Sequence, residues 1–514
     1  MKSSKKCGIL YKNIELEPVR YKADGFRSLE DKMDNISNLR PEKVFDFFRQ
    51  ISEIPRGSGN TEKITQYCLD FAEQRNLRAV KDEGGNVIIY ADGTEGYENS
   101  EPIIIQGHMD MVCEKTPDCT KDMQNEGVTL CTDGEYLWAD GTTLGGDDGI
   151  AMAYIFALLD SDDIPHPPIE AVITRDEETG MFGAIDFDPE LVKGRKMLNI
   201  DSEEEGILTV SCAGGITAVC EIPVDFTDAE KAFCYEISVN NLLGGHSGAD
   251  IDKGRANAFK VMGEILGELK NNTDFLISGI KGGGKANVIP QYASVVIGTD
   301  SDCFSDIEKL LESFGEAFME KYAGIEPDAS FAVKQIDSVQ RFCSIAAADK
   351  IVNFLNGAPN GVQSMSKSME GLVQTSLNLG VLSLCEDKLC ADFLIRSSSI
   401  EEKQSLCDKV ISFVSEYGGT AFGDGDYPAW EYRENSPLRD LMVETYTDMY
   451  GKAPKVTGIH AGLECGIFSE KIKDADMVSF GPDNENIHTP AERMNIASVG
   501  RTWEYLKEIL RRSR

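Results

Sequence analysis

Several short apolar runs in this chain stop at a histidine or a carboxylate, and that recurrence limits the possible folds more than any other feature. Pro102-Ile103-Ile104-Ile105-Gln106-Gly107 leads into His108-Met109-Asp110. Ile169-Glu170-Ala171-Val172-Ile173-Thr174 leads, past Arg175, into Asp176-Glu177-Glu178. Lys196-Met197-Leu198-Asn199-Ile200 stops at Asp201, and Asp476-Met477-Val478-Ser479-Phe480 shortly precedes His488. Gly146-Asp147-Asp148-Gly149 stands just ahead of the apolar stretch Ile150 to Leu159, which reads as a buried helix. Short apolar runs bounded by polar turns read as buried parallel strands. In open α/β sheets, ligands collect beyond the carboxyl ends of such strands. Five such places predict one shared site.

At 514 residues the chain exceeds one ordinary core, so two or more domains are expected. Residues 1–38 show weak periodicity and mixed charge and read as an N-terminal extension. Val44, Phe47, Phe48 and Ile51 then form one helical stripe, and Ile64, Tyr67, Cys68 and Phe71 a second. Strands alternating with helices up to Asp201 predict a mostly parallel sheet covered on both faces. The middle of the chain differs. Ala293-Ser294-Val295-Val296-Ile297-Gly298 precedes a helical pattern from Asp306 to Tyr322, and Cys390 to Arg396 precedes another from Glu401 to Tyr417. The two units end alike, in Tyr322-Ala323-Gly324 and Tyr417-Gly418-Gly419. This reads as a strand–helix unit used twice within an inserted α+β domain. Because His488 lies beyond it, the chain must return to the first domain. The expected division is a catalytic domain at 39–214 and 427–514, interrupted by a lid at 215–426.

Composition excludes several classes. The formal net charge of −36 opposes nucleic-acid binding, since phosphate backbones attract Lys and Arg. No apolar run approaches the roughly 20 residues that span a bilayer. The basic Met1 to Lys6 is followed by no signal-peptide apolar core, so a cytoplasmic location is expected. The 14 cysteines, with no Cys-x-x-Cys pair, read as free and mostly buried thiols. Histidine is scarce, at five, yet two of the five fall in the constellation.

Imidazole nitrogen and carboxylate oxygen are ligands for zinc, and manganese or cobalt also fits. A two-metal clamp needs a bridging carboxylate with further His and carboxylate ligands on each ion. His108 and Asp201 suit one ion, Glu178 and His488 the other, with Asp147 between them. Glu177, beside a ligand, is then free to act as general base toward a water bridging the ions. Asp110 is placed to orient the His108 imidazole.

The order His-x-Asp, Gly-x-Asp-Asp-Gly, Glu-Glu-Thr-Gly, strand-ending Asp and late His resembles the co-catalytic metallopeptidases that include carboxypeptidase G, peptidase T and carnosinase. It is most similar to the aminoacyl-histidine, or cytosol non-specific, dipeptidases. The motifs are Gly107-His108-Met109-Asp110-Met111-Val112, Thr143 to Gly149, Asp176-Glu177-Glu178-Thr179-Gly180 and Asn199-Ile200-Asp201-Ser202-Glu203. Gly244-Gly245-His246-Ser247-Gly248 and His460-Ala461-Gly462-Leu463-Glu464-Cys465 complete the set. The resemblance implies two Zn2+ per subunit on His108, Asp147, Glu178, Asp201 and His488, with Glu177 as base. It implies hydrolysis of short peptides, Xaa-His dipeptides preferred. His246 would come from the lid to the substrate carbonyl. Asn287 and Arg396 are lid candidates for holding substrate, Arg396 by a bidentate grip on a carboxylate. His460 and Glu464 are candidates for the pocket wall. Many relatives carry Asn or Lys after the bridging Asp, where Asp148 adds a charge. A duplicated lid unit would supply His246 within one chain; a homodimer in which a partner supplies it is the alternative.

Other classes fit less well. Gly279 to Ala286 has the spacing of a phosphate-binding loop, but Ala286 replaces the required Ser or Thr. Gly245-His246-Ser247-Gly248-Ala249 approaches a serine-hydrolase elbow, and Ala249 breaks it. A non-enzymatic scaffold is disfavoured by the complete ligand set. An N-deacylase or aminopeptidase on the same metal core stays open.

Overall fold

The computed structural model describes residues 36, 38–228, 231–337 and 339–514. The extension expected at 1–38 therefore lies outside the described residues, apart from Ile36 and Asn38. An eight-stranded sheet forms the centre, in the order Arg78–Lys81, Val87–Ala91, Ile169–Thr174, Ile103–His108, Lys196–Asn199, Asp476–Ser479, Ile207–Cys212, Lys455–Ile459. The four middle strands from Ile169–Thr174 to Asp476–Ser479 run parallel, so their carboxyl ends share one edge. The first two strands form an antiparallel hairpin, and Val87–Ala91 also pairs antiparallel with Ile169–Thr174. The sheet is thus mixed and mostly parallel.

Alternation along the strands feeds two cores. Ile103 and Ile105 pack with Val44, Phe47, Phe48 and Ile51 of helix Glu42–Ser52 and with helix Gly146–Leu159. Ile104 packs on the opposite face with Cys465 and Phe468 of helix Glu464–Lys471. Side chains this deeply buried each contribute about 1.5–3 kcal/mol. Ile150 to Leu158 is buried on every side, as an all-apolar helix must be.

Among the described residues, none of the strands from Gly214 to Tyr427 joins that sheet. A five-stranded antiparallel sheet runs Gly361–Met365, Val373–Leu384, Lys388–Ser397, Gly214–Pro223, Thr420–Tyr427. A four-stranded one runs Leu276–Gly282, Ala293–Thr299, Phe233–Asn240, Ser330–Ile336. Ala293–Thr299 is followed by helix Phe304–Lys321, and Lys388–Ser397 by helix Ile400–Glu416, and one apolar core joins both sheets. The Gly279–Ala286 stretch enters strand Leu276–Gly282 and no helix follows it, so it is not a phosphate-binding loop. Every cysteine among the described residues is a free thiol, most of them buried. Among the same residues no helix is long and apolar enough to cross a membrane.

Candidate active site

His108 ends its strand fully buried, with Nε2 2.9 Å from Asp147 Oδ1 and 3.6 Å from Asp201 Oδ1. The other Asp147 oxygen lies 3.1 Å from His488 Nε2, which is 2.9 Å from Glu178 Oε2. Asp147 therefore spans the two imidazoles, one oxygen to each. Glu178 and Asp201 come from the loops after the strands flanking Ile103–His108. His488 arrives from the loop after Asp476–Ser479 with φ 59°, in the left-handed region.

Asp110 ties this cluster to the next loop. Its Oδ1 stands 3.5 Å from His108 Nδ1 and accepts the Glu177 N–H at 3.0 Å. Its Oδ2 accepts from Ser58 Oγ at 2.7 Å and from the Glu178 N–H at 3.3 Å. One buried carboxylate thus sets both the imidazole and the Glu177–Glu178 backbone.

Electrostatics show a cluster that neutralises itself with protons. Against desolvation, Asp110, Asp147 and Asp201 raise the His108 imidazole well above its ordinary value. Hydrogen bonds that the His488 ring donates to Asp147 and Glu178 push it up to about 11. Against its own desolvation, Asp147 is held low by His108 and His488. Burial lifts Asp201 to about 6. Burial also pushes Glu177 well above the carboxylate range, opposed by His108 and reinforced by Asp201, Glu464 and Glu178. Asp148 is a buried neighbour of His108. Its carboxyl turns onto the His108 N–H at 3.1 Å, and burial and Asp201 push it well up.

The donor set fits divalent cations. Donor atoms of His108, Asp147 and Glu178 lie within 4.8 Å of one another, as do those of His108, Asp148 and Asp201. Glu178 Oε1 is buried and has no hydrogen-bond partner among the described residues, a cost of about 1–3 kcal/mol unless a cation takes it. Ions binding here would displace the imidazole protons, so affinity should fall with pH.

The cluster opens on a cavity of about 610 Å³, lined by Glu177, Asp201 and His488 on one side and by His246, Asp252 and Val373 of the inserted segment on the other. His246 Nδ1 accepts the N–H groups of Gly248 and Ala249 at 3.3 and 3.1 Å. Burial and the Arg396 charge depress its pKa, so the ring is neutral with its proton on Nε2. Arg396 is buried, with Nη1 2.9 Å from Tyr427 Oη and Nη2 3.2 Å from His246 Nε2. Both facing groups are donors, which suits an anionic oxygen.

The remaining candidates are placed unevenly. His460 lines the cavity, with Nε2 2.7 Å from Ser376 Oγ, and burial and Arg396 push it down to about 3. Asn287 is exposed and outside the lining; its carbonyl accepts the Ser247 N–H at 2.9 Å and so steadies the His246 strand. Glu464 sits behind the His108–Asp147 cluster, fully buried, with Oε2 accepting from Gln106 Nε2 at 2.5 Å and Thr174 Oγ1 at 2.6 Å. Two residues escape sequence reasoning, Arg56 and Glu492, both buried against the loops that hold His108 and Asp147. The only sequence signal for Glu492 is its place four residues after His488.

Burial raises Glu464 to about 7 against an ordinary 4.5. Its stabilising contribution is therefore fully present below about pH 4.5 and lost as pH rises through about 7. In metal-free protein, Glu464→Gln is expected to exceed wild type by about 3 kcal/mol at pH 8, with the gap closing toward pH 5. Urea unfolding at the two pH values checks this; a pH-independent gap would contradict it.

The comparisons with known proteins agree with this geometry. Residues 104–512 match the model of peptidase family M20/M25/M40. The chain belongs to that family. The peptidase is 33% identical over 480 residues to the cytosol non-specific dipeptidase of Escherichia coli (strain K12), covering 93% of this chain and 99% of that one. Its fold matches the crystal structure of aminoacylhistidine dipeptidase from Vibrio alginolyticus with a TM-score of 0.84 and 34% identity, over 93% and 97% of the two chains. The aminopeptidase PepT of Bacillus cereus shares the fold at TM-score 0.55 and 15% identity, over 92% and 99%. The expectation of a peptidase-class hydrolase on a mostly parallel α/β sheet is met.

Proposed function

We propose that this peptidase is a metal-dependent dipeptidase that prefers Xaa-His dipeptides and acts in the cytoplasm. The observation that carries the reading is the convergence of Asp147, His488, Glu178 and lid residue His246 on one cavity of small-ligand size. Similarity to the two dipeptidases supports the substrate class, and similarity to the cytosol enzyme supports the location. His108 and Asp201 would hold one ion, Glu178 and His488 the other, and Asp147 both. Zinc is the proposed metal, with manganese or cobalt as alternatives. Divalent ions held there would supply Lewis acidity toward the scissile carbonyl and the attacking water.

The chain's own residues supply the rest. Glu177, facing the cavity with its N–H held by Asp110, takes the proton of the attacking water and delivers it to the leaving nitrogen. Asp110 holds the His108 ring and the Glu177 backbone in register. The His246 Nε2–H donates to the carbonyl oxygen as negative charge develops there. Arg396, beside His246 Nε2, draws the substrate carboxylate toward the same corner. His460 shapes the wall as a neutral ring, and Asn287 acts through its backbone hold on the His246 strand. His246 lines the cavity of its own chain, which supports action without a partner; a homodimer is not required by this site, and no nucleic-acid or membrane partner is proposed.

The test is hydrolysis by metal-stripped protein titrated with Zn2+ or Mn2+. β-Alanyl-histidine, Xaa-His, Xaa-Leu, longer peptides and N-acetyl amino acids form the panel. Metal-restored cleavage of dipeptides, Xaa-His leading and longer peptides poor, is expected. Cleavage of the acetylated substrates alone would make the protein a deacylase, and no metal-dependent turnover would end the enzymatic reading.

A further inference from the structure

We propose that Glu492 is a positioning residue that clamps the turn carrying the bridging Asp147 and so sets metal affinity. It is 3% exposed. Its Oε2 accepts the N–H groups of Leu144 at 2.7 Å and Gly145 at 2.9 Å. Its Oε1 accepts those of Gly146 at 2.8 Å and Asp147 at 3.4 Å, together with Asn484 Nδ2 at 3.2 Å. Four successive amides at the start of helix Gly146–Leu159 thus converge on one carboxylate, where the helix dipole favours negative charge.

Arg56 grips the same turn from the other side. Its guanidinium donates to the Gly145 carbonyl, to Met109 O at 3.0 Å and to Asp110 O at 2.8 Å. A Cβ on Gly145 would stand 2.5 Å from Arg56 Nη2, and one on Gly146 would stand 2.9 Å from Asn484 Nδ2. The paired glycines are therefore needed for this approach. Arg56, the 144–147 turn and Glu492 connect three ligand-bearing segments: 108–110, 147 and 488. Because Glu492 follows His488 by four residues, one strut fixes Asp147 relative to His488, whose separation decides whether both can reach the same ion. A carboxylate that merely caps the helix would add stability and leave metal binding alone.

This rests on the two-metal reading, and Zn2+ titration of metal-stripped protein against a competing chelator separates the two. Glu492→Gln keeps the size but sets an NH2 donor against backbone donors. Its metal-free form is expected to stay folded by circular dichroism while Zn2+ affinity falls about 10- to 100-fold, the usual scale for residues that orient ligands. The control is Glu170→Gln: Glu170 is a buried carboxylate that accepts the Lys193 and Gly194 N–H groups, each at 2.9 Å, at the opposite end of strand Ile169–Thr174. That variant should lower the unfolding midpoint with Zn2+ affinity unchanged. Unchanged affinity in folded Glu492→Gln overturns the clamp alone, and a wild-type protein that binds none of Zn2+, Mn2+ and Co2+ overturns both readings. Should Glu492→Gln fail to fold, Asn484→Ala removes a single bond to Oε1. A several-fold loss of affinity supports the clamp, and no loss overturns it.

Discussion

Glu177→Gln is expected to lower kcat by about 10²- to 10⁴-fold, the usual contribution of a general base, with KM and metal content close to wild type. That is about 3–5 kcal/mol of transition-state stabilisation. Glu177 lies on the cavity wall, outside both groups of converging donor atoms, and its N–H is held by Asp110. The amide preserves its shape and hydrogen-bonding reach but accepts no proton at neutral pH. Steady-state kinetics beside metal analysis of the purified variant tests the assignment. Loss of bound metal would make Glu177 a ligand and sink its role as base.

Asp147→Ala should cost at least about a thousandfold in kcat/KM, the scale of the carbonyl polarisation and water activation that paired ions supply. It should also reduce the bound metal to one ion or none. Among the described residues Asp147 alone contacts both imidazoles, so its removal separates the His108 and His488 halves of the site. A pH signature follows in the metal-free protein. His488 is raised from 6.5 to about 11, so its contribution is fully present below about pH 6.5 and is lost as pH rises through about 11. Without the Asp147 partner that window narrows, so the variant's loss of stability relative to wild type should be fullest near pH 6.5 and shrink as pH rises toward 11. Two ions retained in Asp147→Ala would rule out the bridging role.

Local pattern alone determined a good deal here. Uninterrupted apolar runs must be buried on both faces, which made Ile103–His108, Ile169–Thr174, Lys196–Asn199 and Asp476–Ser479 legible as central strands. Their shared direction brought His108, Glu178, Asp201 and His488 to one edge, and Asp147 entered from a helix start that its glycines mark. The helical stripes of Val44 to Ile51 and Ile64 to Phe71 follow from the same link between period and burial.

What only the tertiary structure decided concerns polar side chains whose partners lie far along the chain. Glu492 meets Leu144 across 348 positions, and Glu464 meets Gln106 across 358. Nothing local distinguishes such a glutamate from a solvated one, which is why Arg56 and Glu492 went unseen and Glu464 was expected on the pocket wall. The antiparallel turn of Arg78–Lys81 on Val87–Ala91 was equally invisible, since an apolar run specifies burial but not direction. Periodicity encodes which faces leave water, a property of neighbouring residues. The pairing of buried charges depends on where distant loops are brought together, and only the folded chain sets that.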